Sequence, residues 1–541
     1  MSTVIEDVDQ HPVEETPVTR QYQTEDGQPN LALLEDRTPE GLKASSAVTL
    51  IIGVLGTLFV LLNYSPLWHT DFWGHLLYGE WIWSHGALPK TEPFMPLSVG
   101  MSLTDTAWLS QLIGYLTIEQ FGVSGIQFLY ASSIVFVAGC LAFSLYARTQ
   151  HAAISLLAVF LFYWTDYQQL AIVRPQLTGM MCFAAVLAMA TSFRWRIWYY
   201  LAIPAIFAVW ANLHGSFIIG IVTLGALTVG RAIDVLRRTK NVKMVLAESR
   251  TRQLFILTEL AAAAALLNPY GIGIYPAVFS ISGHPNMAGV IEWEPLTLRM
   301  KQGQAAAVLA LSLIALYRLS PRRVTTGEVL LLVGFGMGAM WTSRIIVWWA
   351  PVAAYYFGLH AAAVWRVWMK SRPPAPKRGG LYSVSILGLL WIFFAYTPFG
   401  GAVLHGGPKT PEESRKRFEK SVSRSTPLEA AKYLKQHPPQ GQIYNTFDWG
   451  DYLLWAGPED LQVFAASHVH LIPEEVWEHY NAVSHGSSSW QAIMDRYSVN
   501  TIVLRPSRHP ALVDRIKQET AKWKTAYESN TTIIFERKNP I

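Results

Sequence analysis

"WHTDFWGHLLYGEWIWSHGALPKTEPF", residues 68–94, follows the first long apolar run of the chain almost at once. Asp71, His75 and Glu80 stand there among seven aromatic residues. Aromatic side chains suit the lipid–water interface, but an interface has no need of the charges. Asp71 is expected to start a helix after Thr70, which can cap it. Asp71 and His75 are then i and i+4, on one face. Phe72, Trp73, Leu76, Leu77 and Trp81 supply an apolar surface expected to lie in the interface. Gly86 and Pro89 end that helix, and a second amphipathic one, "DTAWLSQLIGYLTIEQFG", is expected from Asp105.

The rest of the chain sets the context. Of 541 residues, 51% are hydrophobic and 15% charged, with 21 Trp and a mean hydropathy of +0.22. Soluble globular proteins carry about 25% charged residues, so the balance indicates a polytopic α-helical membrane protein. Eleven apolar segments are long enough to count as transmembrane helices, roughly 46–63, 123–147, 152–165, 176–192, 197–212, 214–231, 253–268, 303–319, 327–342, 344–363 and 381–398. Lys and Arg divide unevenly between alternate loops, 18 on one side and five on the other. The positive-inside rule then makes the N-terminus cytoplasmic and leaves the 64–122 loop and everything after residue 400 outside. A bacterial cytoplasmic (inner) membrane is the expected location. Residues 1–45 read as a disordered cytoplasmic tail, 46–399 as the transmembrane domain and 400–541 as a small extracytoplasmic α/β domain, with strand-like runs alternating with helical ones. Cys140 and Cys182 sit in apolar runs and offer neither a disulfide framework nor a Cys-based metal site. No phosphate-binding Gly-rich loop, nucleotide fingerprint or nucleic-acid patch is present, so no nucleic-acid partner is expected.

On this topology the unusual polar residues fall at the outer ends of the spans. They are Asp71, His75, Asp105, Asp166, Arg174, Asn212, His214, Asn268, Glu292, Glu294 and Arg344. Ionisable groups at membrane depth are costly and mark function or pairing. Any one of them can be an interfacial cap or half of an ion pair, such as Arg174 with Asp166. The one-sided set as a whole is better read as the mouth of a single cavity. A lone Asp–His pair fixes no third metal ligand.

The pieces "DFWGHLLYGEWIWSHGALPKTEPF", "RPQLTG", "NLHGSFIIG", "NPYGIGIY", "EWEP", "SRIIVWWAP" and "YNTFDWGDYLLW" resemble, in order and spacing, the GT-C superfamily of integral-membrane glycosyltransferases. The nearer likeness is to its bacterial dolichyl- or polyprenyl-phosphate-mannose-protein mannosyltransferase-like branch. The resemblance implies a sugar donor on a polyprenyl phosphate in the lipid bilayer and an acceptor on a glycan, lipid or protein. It implies that Asp71 deprotonates the acceptor or holds a divalent metal ion. His75 and Asp105 stand beside it as catalytic candidates. Arg174, His214, Glu292 and Arg344 are candidates for binding substrate, the cations by stabilising charge on the leaving phosphate. Trp73, Trp81 and Trp293 could stack on sugar faces or serve as belt residues.

Two positions depart from the family pattern. Ala107 stands where an acid is expected before Trp108, and "VFAASHVH" replaces an Asp-Gly-Arg-like turn. They leave open a noncatalytic scaffold or accessory subunit on the same fold. A glycan transporter is a third class, but it calls for paired broken helices and internal repeats, and none is evident. "DWGDYLLW" could recognise sugar through Asp448 and Asp451, although a strand-to-helix connection with core aromatics explains the same residues.

Overall fold

Apolar runs fold into helices because a lipid solvent leaves backbone groups no partner but one another. In the computed structural model, residues 36–67, 71–370, 375–408 and 410–541 are described. Thr70, expected to cap the first loop helix, and residues 1–35 of the expected tail lie outside them. The first part of the chain forms α1 (Ser46–Asn63), α2 (Phe72–His85), α3 (Trp108–Thr149), α4 (Ala152–Leu170), α5 (Gln176–Ala190), α6 (Tyr199–Leu213) and α7 (Phe217–Thr239). There follow α8 (Val242–Ala247), α9 (Ser249–Ala264), α10 (Ile274–Ser282), α11 (Lys301–Leu319), α12 (Thr326–Trp341), α13 (Ile346–Trp368), α14 (Gly380–Ala395) and α15 (Pro398–His405). Each of the eleven apolar segments falls largely on one of these helices.

By length and composition, five described helices can cross a membrane: α1, α3, α7, α11, and α13 with its preceding turn. A sixth follows if α14 and α15, bent 88° apart, form one broken span. The chain is therefore a membrane protein, and large apolar side chains such as Leu50, Leu201, Leu311 and Leu387 face outward from it. Its most buried helix is α13, closed in along nearly all of Ile346–Leu359. Arg344 stands just before its first turn.

Two departures concern helix ends. The helix expected from Asp105 begins at Trp108, and it runs on into the 123–147 segment as α3, bent at Gly122 (φ 61°). Only glycine adopts that left-handed backbone without strain, so the bend marks the border between the two expected helices. Part of the expected tail, residues 36–45, is structured: β1 (Ala44–Ser45) pairs antiparallel with β2 (Arg378–Gly379), just before α14. The Asp36 carboxylate accepts the Gly380 N–H at 2.6 Å.

Beyond α15, α16 (Pro411–Ser421) and α17 (Leu428–Gln436) lead into a five-stranded sheet. Its strands are β3 (Gln442–Asn445), β4 (Gln462–Val463), β5 (Thr501–Leu504), β6 (Trp523–Glu528) and β7 (Ile533–Arg537), in the order β4-β3-β5-β7-β6. β3 runs parallel to β4 and β5, while β5–β7 and β6–β7 are antiparallel. Helices α18 (Gly450–Ala456), α19 (Glu474–Ser484), α20 (Trp490–Arg496) and α21 (Pro510–Gln518) fill the connections. "DWGDYLLW" is the strand-to-helix connection, with Trp449, Tyr452 and Leu453 buried.

The apolar face of α2 is not free for lipid. Phe72, Trp73 and Leu76 are buried, and the Trp73 ring packs on Phe418, Tyr452 and Trp455 of the α/β layer. This layer covers α2 because burying aromatic faces against protein aromatics beats leaving them at the interface. Trp73 is thereby removed as a sugar-stacking surface. Gly74 permits the fit: a Cβ there would lie 2.6 Å from Asp451 Oδ1.

Candidate active site

Seven stretches of sequence meet over the ends of the helices and enclose a cavity of about 160 Å3. α2 contributes Asp71, His75 and Tyr78, and the segment entering α3 contributes Asp105, Ala107 and Gln111. Arg174 precedes α5, His214 follows α6, and Trp293 and Arg344 flank α11 and α12. The turn after β4 closes the cavity with His468 and His470. Of the eleven polar residues singled out at the ends of the spans, Asp71, His75, Asp105, Arg174, His214 and Arg344 line this space, Glu292 reaches it through Arg174, and Asp166, Asn212, Asn268 and Glu294 stand outside its lining.

Asp71 holds the N-cap position of α2, but its carboxylate makes no capping bond to that helix. Its Oδ2 lies 3.9 Å from His75 Nε2. Gln111 Nε2 donates to His75 Nδ1 at 3.2 Å and to Asp105 Oδ1 at 3.1 Å. An amide N–H2 only donates, so His75 Nδ1 accepts and the ring proton sits on Nε2, towards Asp71. Burial lowers the His75 pKa against the pull of Asp71, which favours this neutral form.

Asp105 turns back on itself. Oδ1 accepts the Ala107 N–H at 3.0 Å, while Oδ2 is buried with no partner among the described residues. Desolvation raises its pKa to about 7, against the two hydrogen bonds. The acid expected at 107 is therefore replaced on the cavity wall by one two residues earlier. Burial also raises Asp451 to about 8, with Asp71 and Glu92 nearby adding to the shift. Tyr78 donates to Glu92, whose own pKa burial raises.

On the opposite wall, Arg174 does not pair with Asp166. It donates to Glu292 Oε2 at 2.6 Å and to Gln169 Oε1 at 2.5 Å, while Asp166 accepts from Gln302 at 3.3 Å. Its charge is thus compensated. Arg344 instead lies over the Trp293 ring at 4.9 Å and enters no ion pair among the described residues. Burial, then Arg344 and Arg174, push His214 down to about 3. Its Nδ1 accepts the Ser216 N–H at 3.1 Å, so the neutral ring carries its proton on Nε2. His214 is thus a neutral donor and not a third cation.

The chain is similar in structure to two solved proteins. The oligosaccharyltransferase of Archaeoglobus fulgidus in its apo form has 14% identity and a TM-score of 0.47, over 84% of this chain and 69% of that one. The same enzyme in complex with Zn and sulfate has 13% identity and a TM-score of 0.47, over 91% and 73%. ArnT from Cupriavidus metallidurans bound to undecaprenyl phosphate has 12% identity and a TM-score of 0.47, over 90% and 97%. No family model matches the sequence, and no curated protein does.

The divalent ion that the resemblance allows finds no ready donor set. No three His, Cys, Asp or Glu side chains among the described residues are grouped to hold one. Asp71 and His75 are a pair, and the His468 ring stands edge-on to His75 at 5.5 Å. A metal held by protein ligands alone does not fit, and no chemical step is derived through one.

Gln111, His468 and His470 were not singled out in the sequence. Gln111 lies on the expected amphipathic helix as an ordinary polar residue. The two histidines are the "SHVH" of the departing turn. The signal was a pair of His residues two apart in an otherwise plain α/β pattern. Burial lowers both, His470 to about 4, so they line the cavity as neutral rings.

Proposed function

We propose that this chain is an integral-membrane glycosyltransferase that moves a sugar from a polyprenyl-phosphate donor to an acceptor on the extracytoplasmic side. One observation carries the reading: a carboxylate–imidazole pair and a cation that enters no ion pair among the described residues face each other across one small cavity. Asp71 takes the proton of the acceptor hydroxyl or amide as that group attacks the anomeric carbon. The bond from that carbon to the phosphate oxygen breaks, and the electron pair leaves on polyprenyl phosphate. Arg344 neutralises the developing charge, Nε2–H of His214 donates to it, and Arg174 with Glu292 fixes the wall. The Nε2–H of His75 keeps Asp71 ionised, and Asp105 is the second proton carrier. The lining of an apolar groove of about 370 Å3 between α11 and α12 includes Met337, Met340, Trp349 and Ile346, the last of them two residues along the chain from Arg344. It suits an isoprenoid tail entering from the bilayer.

The eleven-span topology belongs to this proposal, with a cytoplasmic N-terminus, residues 400–541 outside and a bacterial inner membrane. Two pairings support it. β1 before α1 pairs with β2 before α14, and Leu67 after α1 bridges to Val422 at the end of α16. Segments one and eleven therefore start at one end of the bundle and finish at the other, as ten crossings between their starts require.

The test is transfer from polyprenyl-phosphate sugars by purified protein. Asp71→Asn is expected to lower the rate about 10²–10⁴-fold, the usual contribution of a general base. Transfer at the wild-type rate by this variant would refute the base assignment. A folded wild type inert towards every such donor would favour the scaffold class instead.

A further inference from the structure

α5 separates two cavities. Gln176 at its start borders the Asp71 cavity, and Ala190, Thr191 and Ser192 at its end border another of about 440 Å3. At 1.5 Å per residue the two lie about 20 Å apart. The proposed transfer uses nothing in the second.

Four guanidinium groups line this second cavity: Arg148 at the end of α3, Arg231 on α7, Arg250 at the start of α9 and Arg322 ahead of α12. Arg148 Nη1 donates to the Thr191 carbonyl at 2.6 Å and to the Tyr355 hydroxyl at 3.3 Å. Arg250 Nη2 donates to the carbonyls of Ala190 at 2.5 Å and Ser192 at 3.2 Å, and its guanidinium lies over Trp195 at 4.7 Å. Each uses one nitrogen, and neither enters an ion pair among the described residues. Arg231 and Arg322 pair with Glu248 at 2.8 Å and Glu328 at 2.9 Å, yet Arg231 Nε is buried with no partner. The carboxylate on the wall, Asp234, accepts the Thr326 N–H at 3.1 Å and its hydroxyl at 2.5 Å.

Capping of the α5 carbonyls explains Arg148 and Arg250 taken singly. It does not explain why four arginines from four elements line one space. Glu248 and Glu328 answer Arg231 and Arg322, and the like charges of Arg148 and Arg250 brought together at low dielectric raise the energy unless an anion joins them. The mouth selects the kind of anion. Phe193 on its rim is 83% exposed, with Ile197 at 79% and Leu201 at 76% close by, so the cavity opens among outward-facing apolar side chains.

We propose that this cavity binds the phosphate headgroup of an anionic membrane lipid. Guanidinium groups match phosphate oxygens in fork geometry, and basic pockets between spanning helices take such headgroups. The acyl chains lie outside, along Phe193 and its apolar neighbours. The assignment to the cytoplasmic leaflet rests on the proposed topology; the headgroup chemistry does not. Free phosphate offers the same oxygens, so the test separates the two sources.

The purified full-length protein in detergent is titrated with phosphatidylglycerol, phosphatidylcholine and inorganic phosphate, following thermal unfolding and, by native mass spectrometry, retained lipid. Phosphatidylglycerol is expected to raise the unfolding temperature and to stay bound, and the other two are not. Arg148→Gln and Arg250→Gln are each expected to weaken phosphatidylglycerol binding about fivefold, the ~1 kcal/mol a basic residue contributes at an anionic surface. If neither variant folds, the wild-type preference for phosphatidylglycerol over phosphatidylcholine decides alone. Equal stabilisation by the two lipids overturns the proposal, as does unchanged affinity in both folded variants. A full shift from inorganic phosphate alone overturns the lipid assignment.

Discussion

Asp105→Asn turns a buried acid into a measurable pH dependence. Unfolded, Asp105 loses its proton near pH 3.8; folded, burial holds the proton to about pH 7. Between these values the native state binds more protons, so stability falls as pH rises, and above about 7 the whole loss is in place. Three pKa units amount to about 4 kcal/mol, of which about 3 kcal/mol falls between pH 5 and 8. For 541 residues, unfolding with about 2.1 cal/mol/K each, that is a shift of about 2–3 °C in Tm. Asparagine keeps an oxygen for the Ala107 and Gln111 donors and cannot titrate. Thermal unfolding in detergent at pH 5 and pH 8 checks this. The wild type is expected to lose about 2–3 °C more between the two than the variant does, because Asp451 and Glu92 titrate in both proteins and cancel. Equal losses, within about 1 °C, would refute the buried, partner-free placement of Asp105 Oδ2.

Gly74→Ala sets a Cβ against Asp451, which is 2% exposed and cannot swing clear. A cost of about 1–3 kcal/mol is expected, read as faster limited proteolysis of the α/β layer. Gln111→Leu removes the donor that fixes the His75 tautomer and the Asp105 carboxylate. A positioning role predicts a lower kcat, little change in KM and a displaced pH–rate profile; a parallel fall in folded yield alone would argue for packing. Arg344→Gln removes the cation that enters no ion pair among the described residues. Losing a hydrogen-bonded charge of about 1.5–3 kcal/mol should weaken donor binding by about 10–150-fold, measured by titration with polyprenyl phosphate.

Some of this is written in single residues and their neighbours. Segments such as 46–63 and 176–192 could be read as helices because burial in lipid demands a long apolar run, which is a local property. The outer placement of Asp71, Arg174, His214 and Arg344 followed from counting spans and basic loops. β6 was not legible, since "WKTAYE" has one covered residue at its start and polar ones after it. Nor was α16, because a short polar helix carries little periodic signal. The expected interfacial face of α2 was misread, because its aromatic residues suit lipid and protein equally well. Which of the two they meet depends on an α/β layer more than 300 residues away in the chain. The sequence by itself therefore determined the apolar helices and which polar residues stand at their ends. Only the tertiary structure decided that Glu292 and not Asp166 neutralises Arg174, that Gln111 joins His75 to Asp105, and that His468 closes the cavity. Pairing at 3 Å is set by packing between distant segments, and no local pattern encodes it.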